Sequence, residues 1–410
     1  MDKNKLQKYA ELLVKKGINI QKGQILVLRS PIECAEFARL VQLEAYKAGA
    51  REVVVNWSDE QSAKLKYLYA HDEVFDEYPD WAKEFYNGYA RKDAAFLSIY
   101  AEDPELMKDV DPSRMIRSQK AASTAIKEYR DRLMSNRNVW CIASIPTVAW
   151  ARKVFSNANS DEEAVELLWD AIFKAIRVDQ DDPVSAWEEH LTNLKKRMKF
   201  LNDHNFKYLR VKNSLGTDLE IELPEGHIWL GGSEYTPNGI EFIANMPTEE
   251  VFTLPKKTGV NGIVYASKPL NFNGKLIDEF YLKFENGKIV DFDAKVGLDT
   301  LKELINTDEG SHYLGEVALV PYNSPISLSG ILFYNTLFDE NASCHLAIGR
   351  AYPSCIKNGE NMSDEELEQH GVNNSIVHED FMFGTHDLEI IGVTRDGKEV
   401  KVFEKGNFVE

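Results

Sequence analysis

The sequence predicts a two-part fold, an α/β amino-terminal domain followed by a mainly β (α+β) carboxy-terminal domain. Short all-apolar runs alternate with amphipathic helical patterns through the first 180 residues or so, the rhythm of a sheet covered on both faces. Beyond about residue 205, alternating strands and glycine-bearing turns replace them, as in antiparallel hairpins. Between the two lies the acidic run Asp179, Gln180, Asp181, Asp182, ahead of one long helical stripe. Such a run suits a boundary. The expected division is 1–182 for the α/β domain, 183–204 for a connecting helix and 205–410 for the β-rich domain.

Met1 to Gly17 carries five lysines, with Leu6, Tyr9, Ala10 and Leu13 at helical spacing. This reads as an amphipathic first helix, lacking the unbroken apolar block of a signal peptide. Within Gln24 to Arg29, Ile25 to Leu28 form a buried strand; Pro31 is expected to open a helix that runs through Phe37, Leu40, Val41, Leu43 and Ala45 to a stop at Gly49. Val53 to Val55 supply a second buried strand, and Phe96 to Tyr100 and Val139 to Ser144 two more, separated by an Ala-rich helix around Ala121 to Leu133. A helix from Glu162 is capped by Ser160, with Glu163 reaching back. Asp182 and Pro183, a cap followed by proline, start another. It sets Trp187, Leu191, Leu194, Met198 and Leu201 on one face, a packing stripe.

In the second half, Tyr208 to Lys212 and Asp218 to Leu223 alternate across a turn at Gly216. Phe280 to Phe284 pairs with Ile289 to Phe292 across Asn286 and Gly287, and Leu388 to Val393 with Val400 to Phe403 across Asp396 and Gly397; both dipeptides are strong hairpin signals. Helices are few, around Thr300 to Ile305 and Asp364 to His370.

Over 410 residues, 48 Lys and Arg against 66 Asp and Glu leave a net charge of −18, which excludes a general nucleic-acid binder. The best apolar stretch, Val139 to Val154, is broken by Pro146, Arg152 and Lys153, so no membrane span is expected. Cys34, Cys141, Cys344 and Cys355 are scattered without a CxxC pair, which describes no disulfide framework and points to a reducing cytoplasm. The sequence has no GxGxxG after the early strands, no phosphate loop and no GxSxG elbow, which argues against dinucleotide, nucleotide and serine-hydrolase chemistry.

What remains is a concentration of metal-capable side chains in the second half, where five of nine histidines fall in the last hundred residues. In a strand, His378 and Asp380 share one face while Glu379 points the other way. One imidazole and one carboxylate together make half a site for a divalent metal. Glu340 and His345 flank a segment rich in turn formers, and Cys344 beside them reads as a buried, unreactive thiol. Glu249 and Glu250 precede the apolar run Val251 to Leu254, and Glu316 precedes Val317 to Val320. A carboxylate at such a position must be paired, solvated or bound to a cation. Spacing alone does not choose between Glu249 and Glu250.

Several segments in order carry a resemblance over essentially the whole chain: Gln21 to Leu28 (QKGQILVL), Asn245 to Phe252 (NMPTEEVF), Gly315 to Val320 (GEVALV), Phe338 to Gly349 (FDENASCHLAIG), Tyr352 in AYP, and Val377 to Gly384 (VHEDFMFG). They resemble the metallo-aminopeptidases of the aminopeptidase T, aminopeptidase S and PepS group, nearest to the PepS type. The resemblance implies that the β-rich domain is catalytic. It implies metal ligation by Glu250, Glu316, Glu340, His345, His378 and Asp380, with Tyr352 near the reaction centre, and it selects Glu250 from the doublet. It also implies a homodimer and broad specificity toward peptides with a free amino terminus.

Three glutamates and one aspartate balance the charge of two divalent ions, and each imidazole gives one nitrogen, the pattern of a co-catalytic pair of zinc, cobalt or manganese ions. Such ions lie about 3.5–4 Å apart under a shared carboxylate; Glu316 is the expected bridge and, with Tyr352, the expected catalytic residue. The expected function is hydrolysis of the amino-terminal residue by a metal-activated water. The alternatives are another dinuclear hydrolase, an amidase or phosphoesterase, or a non-catalytic two-domain binding protein. The general base stays open between Glu249 and Glu379, with strand alternation against Glu379.

Overall fold

The computed structural model describes residues 2–272 and 275–409. The chain forms two units, Met1–His190 with Ser233–Pro247, and Leu191–Gly232 with Thr248–Glu410.

The first unit is built on a five-stranded parallel sheet in the order Glu52–Ser58, Ile25–Pro31, Ala95–Tyr100, Trp140–Ser144, Asn245–Met246. Leu26, Val27 and Leu28 are all buried, which is why this strand reads as a continuous apolar run. The first helix, Lys3–Leu12, is capped by Asp2 and ends in a π-helical turn, Leu13–Gly17. Pro31 closes a strand where the sequence suggested that it opens a helix: its φ of −57° and ψ of 143° are extended, and a 3₁₀ turn, Ile32–Cys34, comes before the helix Ala35–Lys47. The Ala-rich helix is two helices, Pro112–Ala125 and Lys127–Met134, broken at Ile126 where ψ is 27°. Ser160 caps Asp161–Ala175 by accepting from the Glu163 amide, while the Glu163 carboxylate takes the Asn159 amide. Asp182 accepts from the Val184 and Ser185 amides at the start of Pro183–His204.

The second unit holds two antiparallel sheets. The larger has nine strands, including Phe206–Lys212, Asp218–Glu222, Lys275–Glu285, Lys288–Val296, Glu389–Thr394 and Glu399–Glu404. Its longest hairpin turns at Asn286 (φ 51°) and Gly287 (φ 81°), the two positive φ angles of a type I′ turn. A Cβ at Gly287 would lie 1.7 Å from the Lys257 carbonyl oxygen. The smaller sheet has four strands in the order Val251–Thr253, Leu314–Leu319, His345–Gly349, His378–Met382. Val317, Leu319, Leu346, Ile348 and Phe381 from one face of it join a core with Phe280, Leu282 and Phe284 of the larger sheet, and the Phe280 and Phe381 rings sit 5.6 Å apart. Each such side chain contributes roughly 1.5–3 kcal/mol by leaving water, so this face is firmly anchored. Among the described residues, no helix is long and apolar enough to cross a membrane.

Candidate metal centre

The register of the four-stranded sheet decides what its other face carries. Phe252, Ala318, His345 and Met382 form one cross-strand row, Glu316, Ala347 and Asp380 the next, and Gly349 faces His378. Side chains two apart share a face, so Glu316, His345, His378 and Asp380 project together, opposite the apolar core. Glu250, just before the Val251–Thr253 strand, brings its carboxylate to the same cluster. The residues between them are small. Ala347 separates Glu316 from Asp380, and a Cβ at Gly349 would meet the Val377 carbonyl oxygen at 2.2 Å. Small residues thus lie between the ligand-type side chains on this face.

The distances are short. His345 Nε2 lies 3.1 Å from Glu250 Oε2 and 3.6 Å from Glu316 Oε1; His378 Nε2 lies 3.6 Å from both Glu316 Oε2 and Asp380 Oδ1. Two triads result, Glu250 with Glu316 and His345, and Glu316 with His378 and Asp380, each with ligand atoms within 4.8 Å of one another. Glu316 belongs to both, one oxygen toward each histidine.

Both imidazoles are oriented by main-chain oxygens. His345 Nδ1 is 3.1 Å from the Ser343 carbonyl oxygen and His378 Nδ1 is 2.7 Å from that of Arg350. A carbonyl oxygen only accepts, so Nδ1 carries a proton and Nε2 points into the cluster, the orientation of metal-binding histidines. There it faces carboxylate oxygens. Glu250 Oε2 and Asp380 Oδ1 are buried without a hydrogen-bond partner; the 3.1 Å approach of His345 to Glu250 lacks hydrogen-bond alignment. A buried carboxylate oxygen in that state is costly unless a cation meets it.

The titration shifts have the same origin. Burial, then the charges of Asp380 and Glu250, push the Glu316 carboxyl up to about 7. Burial, Glu250 and Asp380 raise Glu340 well above the usual range. Burial works against charge on His345 and His378, yet the facing carboxylates raise both. Surplus negative charge in a dry site draws in positive charge. The residues therefore fit divalent cations: one orphaned oxygen in each triad, a shared carboxylate, and one aimed imidazole per triad.

The sequence pattern of the thermophilic metalloprotease family, M29, matches residues 2–408. The chain belongs to this family. It is 50% identical to aminopeptidase 2 of Geobacillus stearothermophilus over 98% of this chain and 97% of that protein. It is 50% identical to aminopeptidase AmpS of Bacillus subtilis over 98% of each, and 39% identical to aminopeptidase T of Thermus thermophilus over 99% of each. The solved structure of wild-type AmpT from Thermus thermophilus superposes with a TM-score of 0.93 at 38% identity, covering both chains completely. The two-part fold read from the sequence agrees with this match.

In this M29 chain the remaining sequence candidates lie around the two triads without joining them. Glu340 sits in the 3₁₀ turn Glu340–Ala342, close enough to Glu250 and Asp380 for their charges to raise its pKa. The Tyr352 ring lies 4.8 Å from that of His378; burial and then the charges of Glu316, Asp380, Glu340 and Glu250 hold its phenol far above the usual value, so it is a hydroxyl donor at neutral pH. Glu379 is pushed up to about 7 by burial and then by Asp380. The Cys344 thiol, buried and pushed up to about 12, bonds to the Val320 backbone and is inert, as the sequence suggested.

Sequence reasoning missed Asn341. This side chain is fully buried; its Oδ1 accepts the Glu249 amide at 2.7 Å and its Nδ2 donates to the Leu337 carbonyl at 3.1 Å. It ties the strand end that carries Glu250 to the turn that carries Glu340. An asparagine among turn formers gives no sign of this before the fold is known.

Proposed function

We propose that this chain is a metal-dependent aminopeptidase that removes the amino-terminal residue of peptides at a site for two divalent ions. The observation that carries the reading is the pair of triads sharing Glu316, each with an orphaned buried carboxylate oxygen. Glu250, Glu316 and His345 would hold one ion and Glu316, His378 and Asp380 the other, with Glu340 as the sixth ligand. When bound, the ions supply a water of pKa near 7 and polarise the scissile carbonyl.

The protein's own groups do the rest. The Ser343 and Arg350 carbonyls fix both imidazoles, so no reorientation is needed during turnover. Tyr352, protonated and beside His378, donates toward the oxygen that gains charge as the carbonyl becomes tetrahedral. The ions are zinc, cobalt or manganese, selected by availability. The enzyme acts in the cytoplasm as a homodimer. Neither the phosphoesterase or amidase alternative nor the binding-protein alternative gains support from relatives named as aminopeptidases.

The test is hydrolysis of free and N-acetylated aminoacyl amides by the purified protein, after chelation, and after zinc, cobalt or manganese is restored. Cleavage of the free amides alone, lost on chelation and regained with about two ions bound per chain, is expected, with Tyr352→Phe slowing turnover by about 10²–10³ at unchanged metal content. Metal-independent cleavage, or cleavage of the acetylated series, would overturn the reading.

A further inference from the structure

Parallel sheets are normally covered on both faces, and the sheet of the first unit is covered on one of them only in part. Side chains in register across parallel strands share a face. Asn56, Arg29, Ser98 and Ile142 therefore form one row across the strands Glu52–Ser58, Ile25–Pro31, Ala95–Tyr100 and Trp140–Ser144. Two residues back along the same face, Val27 and Phe96 are buried beneath Phe85, Tyr89 and Tyr129 of the helices Asp80–Arg91 and Lys127–Met134. The Arg29 row lies beyond that cover: Arg29 is exposed and the other three are half-buried.

The place is particular. The strand that carries Arg29 has the second strand of the chain on one side and the third on the other, so the strand order reverses there. Open α/β sheets take their ligands toward the carboxyl ends of the strands at such a point. Among the described residues, no carboxylate lies within ion-pair distance of Arg29 and no hydrogen bond engages its side chain. Phenols surround it instead. Its positive charge acts on the Tyr78, Tyr100 and Tyr129 hydroxyls, opposing the burial that raises the pKa of each. The Tyr86 ring lies 5.1 Å from that of Tyr129, and its oxygen accepts the Asn56 side-chain amide at 2.8 Å, which leaves the Tyr86 O–H to donate elsewhere. The Tyr78 and Tyr129 hydroxyls have no hydrogen-bond partner among the described residues.

An unpaired guanidinium among protonated phenols offers donors to an acceptor with negative charge. How much charge is set by the rim, where Glu102 and Glu60 act on Tyr100. Those carboxylates oppose a dianion such as phosphate and tolerate a single carboxylate, above all one whose molecule also carries N–H groups. We infer that this open row is a binding site for the α-carboxylate of a peptide or amino acid, held by the Arg29 fork with the Tyr86 and Tyr129 hydroxyls beside it. No metal takes part, so the site stands whether or not the chain cleaves peptides.

Calorimetry on the full-length, metal-loaded protein tests this with N-acetyl-Leu-Gly-Gly, its carboxamide and inorganic phosphate. Repeating each titration after chelation separates the site from carboxylate binding at the metals. The peptide acid should bind at least about tenfold more tightly than the amide, with and without metal, because only the acid brings a charged acceptor. Arg29→Gln should abolish that difference, and Arg29→Lys should restore part of it, since an ammonium lacks the planar fork. Tyr129→Phe should weaken the acid about two- to tenfold. Leucine, titrated into the chelated protein, distinguishes a free amino acid from a peptide terminus: the one bound more tightly through Arg29 is the occupant. Arg29 is exposed, so its variants should fold, and melting midpoint and sedimentation check this. Equal binding of acid and amide, no binding of the acid, or phosphate bound more tightly than the acid through Arg29 would overturn the assignment. So would an Arg29→Gln variant that binds the acid as before, whether or not its oligomeric state has changed.

Discussion

Glu316→Gln separates two roles of one carboxylate. In the metal-free protein, burial and the charges of Asp380 and Glu250 move this group from 4.5 to about 7. At about 1.4 kcal/mol per pH unit, the ionised form is penalised by about 3 kcal/mol. The folded state holds the proton more tightly than the unfolded one, so the penalty is absent below about pH 4.5, grows as pH rises and is complete above about pH 7. Glutamine keeps the shape and removes the charge, but leaves a buried amide imperfectly matched, at about 1–3 kcal/mol. The net is a gain of up to about 2 kcal/mol at pH 8, and a loss at pH 4.5. For a unit of this size, 1 kcal/mol moves the unfolding midpoint by about 2–4 °C. Circular-dichroism melts in excess chelator at both pH values read this. In the same variant the shared ligand is gone, so metal affinity should fall by more than the roughly 10- to 100-fold lost with an outer partner, and leucinamide hydrolysis with it. A chelated variant less stable than the native protein at pH 8, or one that binds two ions and turns over normally, would refute the reasoning.

Two further outcomes follow from buried polar groups. His227 donates through Nδ1 to the Pro224 carbonyl at 2.9 Å while Nε2 has no partner, and burial lowers its pKa from 6.5 to about 4. The unfolded chain therefore takes up the proton first: stability is full above about pH 6.5 and declines by about 3 kcal/mol as pH falls to 4. Urea unfolding at pH 7 and 4.5 should show that decline shrinking in His227→Phe, and an identical decline in both proteins would contradict it. Asn341→Ala strips partners from two buried backbone groups, at about 1–3 kcal/mol each, and should weaken metal binding about 10- to 100-fold. Calorimetric metal titration below the variant's unfolding midpoint tests this, and unchanged affinity would show that Glu250 and Glu340 hold their places without it.

Local signals in the sequence were read well where the chemistry is local. The Asn286 and Gly287 turn is a hairpin because both positions need positive φ, and Asp182 caps its helix with its own carboxylate. Pro31 misled because proline's fixed φ serves an extended strand end as well as a first helical turn. At the site, the shared face of His378 and Asp380 follows from strand alternation alone. Joining them to Glu316 required cross-strand register, including the irregularity between Leu314 and Glu316, which no periodicity reports. Glu340, in a 3₁₀ turn, has no strand parity to read at all. The pairing of Asn245–Met246 with Trp140–Ser144 spans about a hundred residues and left no mark in either segment.

The two oxygens that aim the imidazoles belong to the main chain of Ser343 and Arg350. Any amino acid at either position brings the same carbonyl, so the outer support of the site is written in backbone path and not in residue identity. A comparison of side chains would pass over it, because the aiming groups are carbonyl oxygens that every residue carries. Conversely, an engineer who transplanted only the six proposed ligand side chains onto another scaffold would carry the instrument without its mount, and would have to copy the course of the strands as well.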